Sequence, residues 1–209
     1  MESRIALDVW SDYVCPFCYL ELPVLQRLQR EHDGALAIRW HAFELHPEPE
    51  PVKDPACEAA CTAWTRSVEP LAVERGVRLR RPTLQPRSRR AQEAAEFARE
   101  SGRFDAMHCA LFEAYFGRGE DIGSLEVLVR VGRRAGLPEK ALRAALKDGH
   151  CTVRVLDDER EAVGLVTAGT PLLVLRAAGE PLEDGAALSG AHAYETIAAA
   201  VARLRAEAA

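Results

Sequence analysis

The first apolar run of the chain, Ile5-Ala6-Leu7-Asp8-Val9-Trp10, is short, rich in β-branched and aromatic side chains and interrupted by one acid, a pattern that predicts a buried strand over 4–10. Ser11-Asp12-Tyr13-Val14 reads as the turn that follows. From Pro16 to about Glu31 the apolar positions Tyr19, Leu20, Leu22, Leu25 and Leu28 recur at helical spacing. Pro23 lies inside that helix, where it removes one backbone donor and is expected to kink the axis. Ala35–Phe43 then alternates through Leu36, Ile38 and Trp40 as a second strand. A strand, helix and strand of these lengths make a βαβ unit, which implies a parallel pair joined by a right-handed crossover.

Regular structure stops at His46-Pro47-Glu48-Pro49-Glu50-Pro51, where alternate prolines impose an extended segment. The pattern beyond it is helical as far as Gly149. Helices are expected over Ala56–Gly76 (Trp64, Val68, Leu71, Val73), Arg87–Ser101 (Ala91, Ala94, Ala95, Phe97) and Phe104–Phe116 (Met107, Leu111, Phe112, Tyr115). Ser124 is placed to cap Leu125–Ala135, with Gly136 as its stop, and Pro138 opens a short helix through Leu146 that Gly149 closes. A helix from about Cys151 to Val166 leads to Gly169-Thr170-Pro171 and a third strand at Leu172–Leu175. A turn at Gly179, a fourth strand at Ala187–Ser189 and an amphipathic helix over His192–Glu207 complete the chain. Strands at the two ends can share one sheet, so the expected architecture is a three-layer α/β sandwich formed by 1–50 and 150–209, with 51–149 inserted as an all-helical block.

A chain of 209 residues can bury a substantial core without a disulfide scaffold. The 48% hydrophobic and 28% charged fractions are those of an ordinary globular protein. The net charge of −5 argues against a nucleic-acid partner, and no apolar stretch approaches the length of a membrane span. Met1-Glu2-Ser3-Arg4 lacks a cationic start followed by a long apolar run, so the expected location is cytoplasmic. In a reducing compartment a Cys-x-x-Cys is catalytic or metal-binding before it is structural.

That motif is Cys15-Pro16-Phe17-Cys18, one turn after the first strand and at the start of the first helix. There the first sulfur meets unpaired backbone N–H groups and the positive end of the helix dipole, both of which favour thiolate over thiol. Cys15 is therefore the expected nucleophile, and Cys18 is in reach to displace it. Pro16-Phe17 supplies no charge, and an intermediate to oxidising potential is expected. Phe17, between the cysteines, should be exposed beside the reactive sulfur. The competing assignment is half a zinc site, with Cys57 and Cys61 supplying the remaining ligands.

Several segments together resemble a known family. They are Asp8-Val9-Trp10-Ser11-Asp12, Cys15-Pro16-Phe17-Cys18-Tyr19, Phe43-Glu44-Leu45, Leu111-Phe112-Glu113-Ala114-Tyr115-Phe116, Asp121-Ile122-Gly123, Gly169-Thr170-Pro171 and Ser189-Gly190-Ala191. In order and spread they resemble the DsbA-like branch of the thioredoxin superfamily, closest to cytosolic FrnE-type proteins related to kappa-class glutathione transferases and 2-hydroxychromene-2-carboxylate isomerases. The resemblance implies a thioredoxin fold, a mixed central sheet with flanking helices, with the helical insertion as a lid. It implies a thiol–disulfide oxidoreductase in which Cys15 attacks and Cys18 resolves. Pro171 would be the cis-proline packed on the sulfurs, and Thr170 would offer backbone to an extended substrate. Asp8 would be the acid beneath the dithiol. No resident cofactor is implied. Protein or small-molecule thiols and disulfides are the expected partners, with glutathione as a candidate co-substrate and a monomer or homodimer as the assembly. A glutathione-dependent transferase or isomerase and a non-catalytic peptide-binding module are the alternatives.

Other residues carry expectations of their own. Asp8, on a core strand, is read as the proton acceptor for Cys18 with a carboxyl raised by desolvation, or else as an ordinary hydrogen-bonded carboxylate. Cys57 and Cys61, four apart, are either small residues on a buried stripe or an auxiliary redox pair outside the family pattern. Cys109 and Cys151 are read as buried structural thiols. The arginines at 78, 80, 81, 87, 89 and 90 read as a solvated face or a carboxylate contact. Trp10, Tyr13 and Trp40 are assigned to the core, and His41 and His46 to loop or strand-end positions.

Overall fold

The computed structural model describes residues 5–32, 34–165 and 169–207. Strand β1 (Ile5–Ser11) is buried along its whole length and is followed by helix α1 (Pro16–Glu31) and strand β2 (Leu36–Ala42). β1 and β2 pair in parallel, in the register Ile5 to Leu36 through Ser11 to Ala42. Strands β3 (Leu172–Ala177) and β4 (Ala186–Ser189) complete a mixed sheet in the order β2-β1-β3-β4, with β3 antiparallel to both neighbours. The two ends of the chain thus share one sheet. The start of the first predicted strand at Arg4 and the predicted helix end at Val166 lie outside the described residues.

The alternation of β1 sorts its side chains between two layers. Ile5, Leu7 and Val9 join Leu173 and Leu175 in a core covered by α1 and by the C-terminal helix α9 (Tyr194–Glu207). Trp10, Leu172 and Val174 face the other way, against Ala162 of helix α8 (Thr152–Gly164). Asp8 belongs to this second face.

The segment predicted as one helix over Ala56–Gly76 is broken into α2 (Glu58–Ala63), a π-helical turn at Trp64–Val68 and α3 (Glu69–Glu74). Pro70 explains the break. It has no N–H for the Arg66 carbonyl, and its ring would press on that carbonyl in a regular helix, so the chain widens in the turn before it. Then come α4 (Arg89–Glu100), α5 (Phe104–Phe112) ending in a second π-helical turn at Glu113–Gly117, α6 (Leu125–Arg134) and α7 (Glu139–Asp148). Gly149 stops α7 in the left-handed conformation, at φ +66°. These helices share their core with one side of α1. Cys18, Leu20 and Leu22 pack with Trp64, Val68, Met107, Leu111, Phe112, Phe116 and Leu142 in one continuous cluster that also takes in Tyr13, Val14 and Cys15.

Polar ties lock the helical segment to the sheet domain. Arg75 of the α3 C-cap reaches Glu21 of α1 and the carbonyls of Leu20 and His192. Gln92 Nε2 donates to the Ser11 carbonyl at 2.9 Å, and Arg99 Nη2 to the Trp40 carbonyl at 2.7 Å. Arg89 pairs with Glu44 and Glu159 at 3.0 Å each, and Arg87 donates to the carbonyls of His46 and Glu50. These last two arginines are therefore not the solvated face that the charge run suggested. Arg87 fastens the proline-rich segment and Arg89 ties Glu44 to Glu159 of α8, whereas Arg78, Arg80, Arg81 and Arg90 are exposed.

Candidate active site

β1 ends at Ser11 and α1 begins at Pro16, so the intervening turn sets the position of the first cysteine. Cys15 is the N-cap of α1, with extended backbone at φ −87° and ψ 115° and proline at the start of the helix behind it. Its amide donates to the Asp12 carbonyl at 3.1 Å, which closes the turn. Cys18 lies one helical turn on. Both are buried free thiols, Cys15 being 3% exposed. The Cys15 thiol donates to the Thr170 carbonyl at 3.3 Å, and the Thr170–Pro171 peptide is cis. The Pro171 carbonyl accepts the Gly190 amide at 2.8 Å, which fixes the loop against the end of β4. Residues 15, 18, 170 and 171, separated widely in sequence, thus meet at one end of the sheet.

The two sulfurs are electrostatically unequal. Burial by itself would raise the Cys15 thiol. The Cys18 thiol and backbone N–H, together with the adjoining Thr170 side chain, outweigh burial and hold the thiol below its ordinary value, against an opposing push from Asp12. Cys18 is driven well up, first by burial and then by the hydrogen bond and charge it shares with Cys15. Thiolate therefore collects on Cys15, and the proton stays on Cys18.

Asp12 is the acid that belongs to this turn. It is fully buried, with Oδ1 accepting the Val14 amide at 3.2 Å and Oδ2 the Leu45 amide at 2.8 Å. Burial raises its carboxyl to about 7 despite those two donors. It acts on Cys15 through its charge, and its backbone favours the Cys18 thiolate.

Asp8 requires correction. The expectation was a carboxyl raised by desolvation and placed to take the Cys18 proton. Burial does push it up, but hydrogen bonds and charge from His41 and Arg176 exceed that push and hold it below the ordinary carboxylate range. Asp8 Oδ1 meets His41 Nε2 at 2.9 Å, and Oδ2 meets Arg176 Nε at 3.0 Å. A carboxylate held this way is a poor proton acceptor at neutral pH. His41 in turn reaches Asp158 of α8 through Nδ1 at 3.1 Å and stacks on Trp10 with ring centroids 4.5 Å apart. Burial opposes the charge on His41, yet the two carboxylates raise it to about 9. The group is a charged staple between sheet and α8.

The match to a family model decides the kinship: the DSBA-like thioredoxin domain matches residues 6–202. The chain belongs to the DSBA-like thioredoxin domain family. Among solved structures it is similar to a probable DsbA oxidoreductase from Streptomyces coelicolor, with a TM-score of 0.82 and 24% identity over 97% of this chain and 91% of the other. A 2-hydroxychromene-2-carboxylate isomerase gives 0.76 and 18% over 97% of each chain. The cytosolic disulfide reductase DsbM from Pseudomonas aeruginosa, also solved with GSH, gives 0.63 and 21% over 88% of this chain and 89% of the other. At these identities the likeness establishes the shared fold. No helix among the described residues is long and apolar enough to cross a membrane.

The remaining expected residues of this DSBA-like chain are placed as follows. Phe17 is half-buried rather than fully exposed, packed at the edge of the helical core. Cys57 is exposed and caps α2, its sulfur accepting the Ala60 amide at 3.5 Å, and Cys61 is half-buried. The buried-stripe reading of that pair fails, because Cys57 is exposed at the start of the helix and Cys61 is only half-buried. Cys57 and Cys61 do not converge with Cys15 and Cys18 as metal ligands. Among the described residues the convergent groups are Glu100-His150-Cys151 and His41-Asp158-Glu161. Cys109 is half-buried beside Gln26, and Cys151 is buried. Sequence reasoning missed Asp12, Arg176 and His108. The last is a fully buried ring bonded to the Tyr13 hydroxyl at 2.9 Å, which burial and then Arg99 lower to about 3, keeping it neutral. The signal for Asp12 was its place in the turn itself, three residues before Cys15.

Proposed function

We propose that this chain is a thiol–disulfide oxidoreductase that exchanges disulfides with protein or small-molecule thiols through Cys15-Pro16-Phe17-Cys18. The observation that carries the proposal is the convergence of Cys15, at the N-cap of α1, with Cys18 and the cis Thr170–Pro171 peptide, in surroundings that lower one thiol and raise the other. The Cys15 thiolate attacks a substrate disulfide, forming a mixed disulfide and expelling one substrate thiolate. Cys18 then gives up its proton and attacks the Cys15 sulfur. The second substrate thiolate leaves, the substrate is reduced by two electrons, and the Cys15–Cys18 disulfide forms. Run in reverse, the oxidised pair donates its disulfide.

Asp12 is the group suited to receive the Cys18 proton. It lies in the same turn, and its carboxyl, raised to about 7, can take and return a proton near neutral pH. Phe17 supplies apolar surface beside the sulfurs, and Thr170 and Pro171 offer backbone to an extended segment. Glutathione is the small thiol we propose as co-substrate, a reading supported by the GSH-bound structure of the similar reductase DsbM. A cytoplasmic location accords with that reductase being described as cytosolic. An isomerase remains the second reading, because a 2-hydroxychromene-2-carboxylate isomerase shares the fold over nearly the whole chain.

Insulin reduction with glutathione as electron source tests the proposal. Cys15→Ser is expected to abolish turnover. Cys18→Ser should accumulate a mixed disulfide on Cys15 with little turnover. Turnover that survives Cys15→Ser would overturn the assignment, and isomerisation of 2-hydroxychromene-2-carboxylate that survives both substitutions would favour the second reading.

A further inference from the structure

Cys151 occupies surroundings that thiol exchange does not use. It is the N-cap of α8, two residues beyond the left-handed Gly149 that stops α7, and is 4% exposed. Its sulfur, a ring nitrogen of His150 and a carboxylate oxygen of Glu100 all lie within 4.8 Å of one another. Glu100 is the last residue of α4, where the negative end of a helix dipole adds to its charge. Its Oε2 meets His150 Nε2 at 3.0 Å, with the two side chains 45% and 55% exposed. Three structural elements thus bring a thiol, an imidazole and a carboxylate together at a place open to solvent.

The charge around the sulfur has one dominant sign. Burial raises the Cys151 thiol to about 11, and Glu100, Glu96 and Glu93 add to it against Arg154. Glu96 is already held by Arg99 and Arg154, and Glu93 accepts the Thr152 hydroxyl at 2.6 Å. Among the described residues Glu100 pairs with the exposed His150. An anionic pocket of this kind repels a bare thiolate and attracts a cation. An ion that replaces the thiol proton turns each repulsion into an attraction.

We propose that Glu100, His150 and Cys151 form a binding site for one divalent ion of the zinc type, with solvent completing the coordination. Thiolate, imidazole and carboxylate are the ligand types zinc takes. Two nitrogen or oxygen ligands on a tetrahedral zinc are ~3.3 Å apart, as follows from bond lengths of ~2.0 Å. The His150–Glu100 separation of 3.0 Å is already close to that. The sulfur, on a short side chain at a helix start, has to close from at most 4.8 Å to ~3.5 Å from the other ligand atoms, given a Zn–S bond of ~2.3 Å. On binding, the Cys151 S–H bond breaks and its proton leaves to solvent, the His150 Nε2–H that meets Glu100 loses its proton to solvent while Nδ1 carries the ring's remaining proton, and S–metal and N–metal bonds form, with no change in oxidation state. The other convergent group, His41-Asp158-Glu161, lacks this capacity. Both His41 nitrogens are engaged by carboxylates as donors, so the ring has no lone pair to offer. The ion at Cys151 would pin the end of α4 to the start of α8.

Cobalt(II) is the probe, because a thiolate–cobalt bond gives a charge-transfer absorption that oxygen and nitrogen ligands alone do not. The reduced full chain is titrated alongside a variant with Cys15, Cys18, Cys57 and Cys61 all changed to Ser, which removes both cysteine pairs and leaves Cys109 and Cys151. The variant is expected to bind one equivalent with a band of one-thiolate intensity, to release cobalt to zinc, and to unfold at a higher temperature with zinc than without. Added to that background, Cys151→Ala should abolish the band, and Glu100→Gln or His150→Gln should weaken binding at least tenfold. A missing band, or one unchanged by Cys151→Ala, would overturn the proposal. Should Cys151→Ala fail to fold, the two substitutions at exposed positions still decide, since affinities equal to those of the four-serine parent refute the site.

Discussion

Replacing Asp12 by Asn tests whether that buried carboxyl titrates near neutrality. The substitution keeps the shape and removes the charge. In the wild type the carboxyl rises from 3.8 to about 7 on folding, with burial as the cause. A carboxyl raised in the folded state leaves stability intact below its unfolded value and erodes it as pH climbs toward the folded one. Linkage with those two values gives a loss of about 2 kcal/mol at pH 5 and about 4 kcal/mol at pH 8. Asn has no such term. It can still accept one of the amides of Val14 and Leu45 but turns an NH2 toward the other, at a pH-independent cost of about 1–3 kcal/mol. That cost is the same at every pH, so the change of the difference with pH reports the carboxyl alone. Asp12→Asn should gain about 2–3 kcal/mol on the wild type between pH 5 and pH 8. Urea unfolding of the reduced proteins, followed by tryptophan fluorescence, measures it, and the other titrating groups cancel because both proteins contain them. A stability difference that stays constant over this range would refute the reasoning. The same substitution removes a negative charge beside Cys15, so the pH midpoint of Cys15 alkylation should fall.

Arg75→Ala should destabilise the fold by about 3–5 kcal/mol in denaturant melts, because it leaves Glu21, 0% exposed, as an uncompensated buried charge. His41→Gln should be destabilising by about 2–3 kcal/mol at pH 6. Since the folded imidazole is raised to about 9, its stabilisation is complete below the unfolded value near 6.5 and is lost as pH rises through 9, so the gap to wild type should narrow between pH 7 and pH 10 in parallel melts. Cys57 and Cys61 are expected to link under mild oxidation, because Cys57 caps α2 with extended backbone and is not held in regular helix. Peptide mass spectrometry should find that disulfide, and recovery of both as free thiols after complete oxidation of Cys15 and Cys18 would rule out an auxiliary pair.

The parts legible in the sequence were those governed by local periodicity. β1, α1 and β2 fall where the apolar spacing sets them, and the position of Cys15 at a strand-to-helix turn follows from that spacing. The break at Trp64–Val68 was less visible, because the apolar period runs through it and only Pro70 marks the strain. The roles of Arg75, Arg87, Arg89 and Arg176 were hidden for another reason. Each is decided by a partner far along the chain, as with Arg176 and Asp8 at 168 residues' separation, and a run of arginines looks the same whether it meets water or buried carbonyls.

The two aspartates beside β1 show why residue type alone misplaced the acid. Both are buried, and desolvation pushes both up. Asp8 points to the α8 face, where His41 and Arg176 bring positive charge, and a full charge within ion-pair distance outweighs the cost of burial. Asp12 lies past the end of the strand, where the neutral amides of Val14 and Leu45 and the Ser88 side chain are what favour its charge, and together they do not. Burial without a cation is therefore what leaves a carboxyl free to exchange a proton near pH 7. That condition is met four residues after Asp8, within the turn that carries Cys15, which supports the proposed proton transfer between Cys18 and Asp12, while Asp8 holds the sheet to its covering helix.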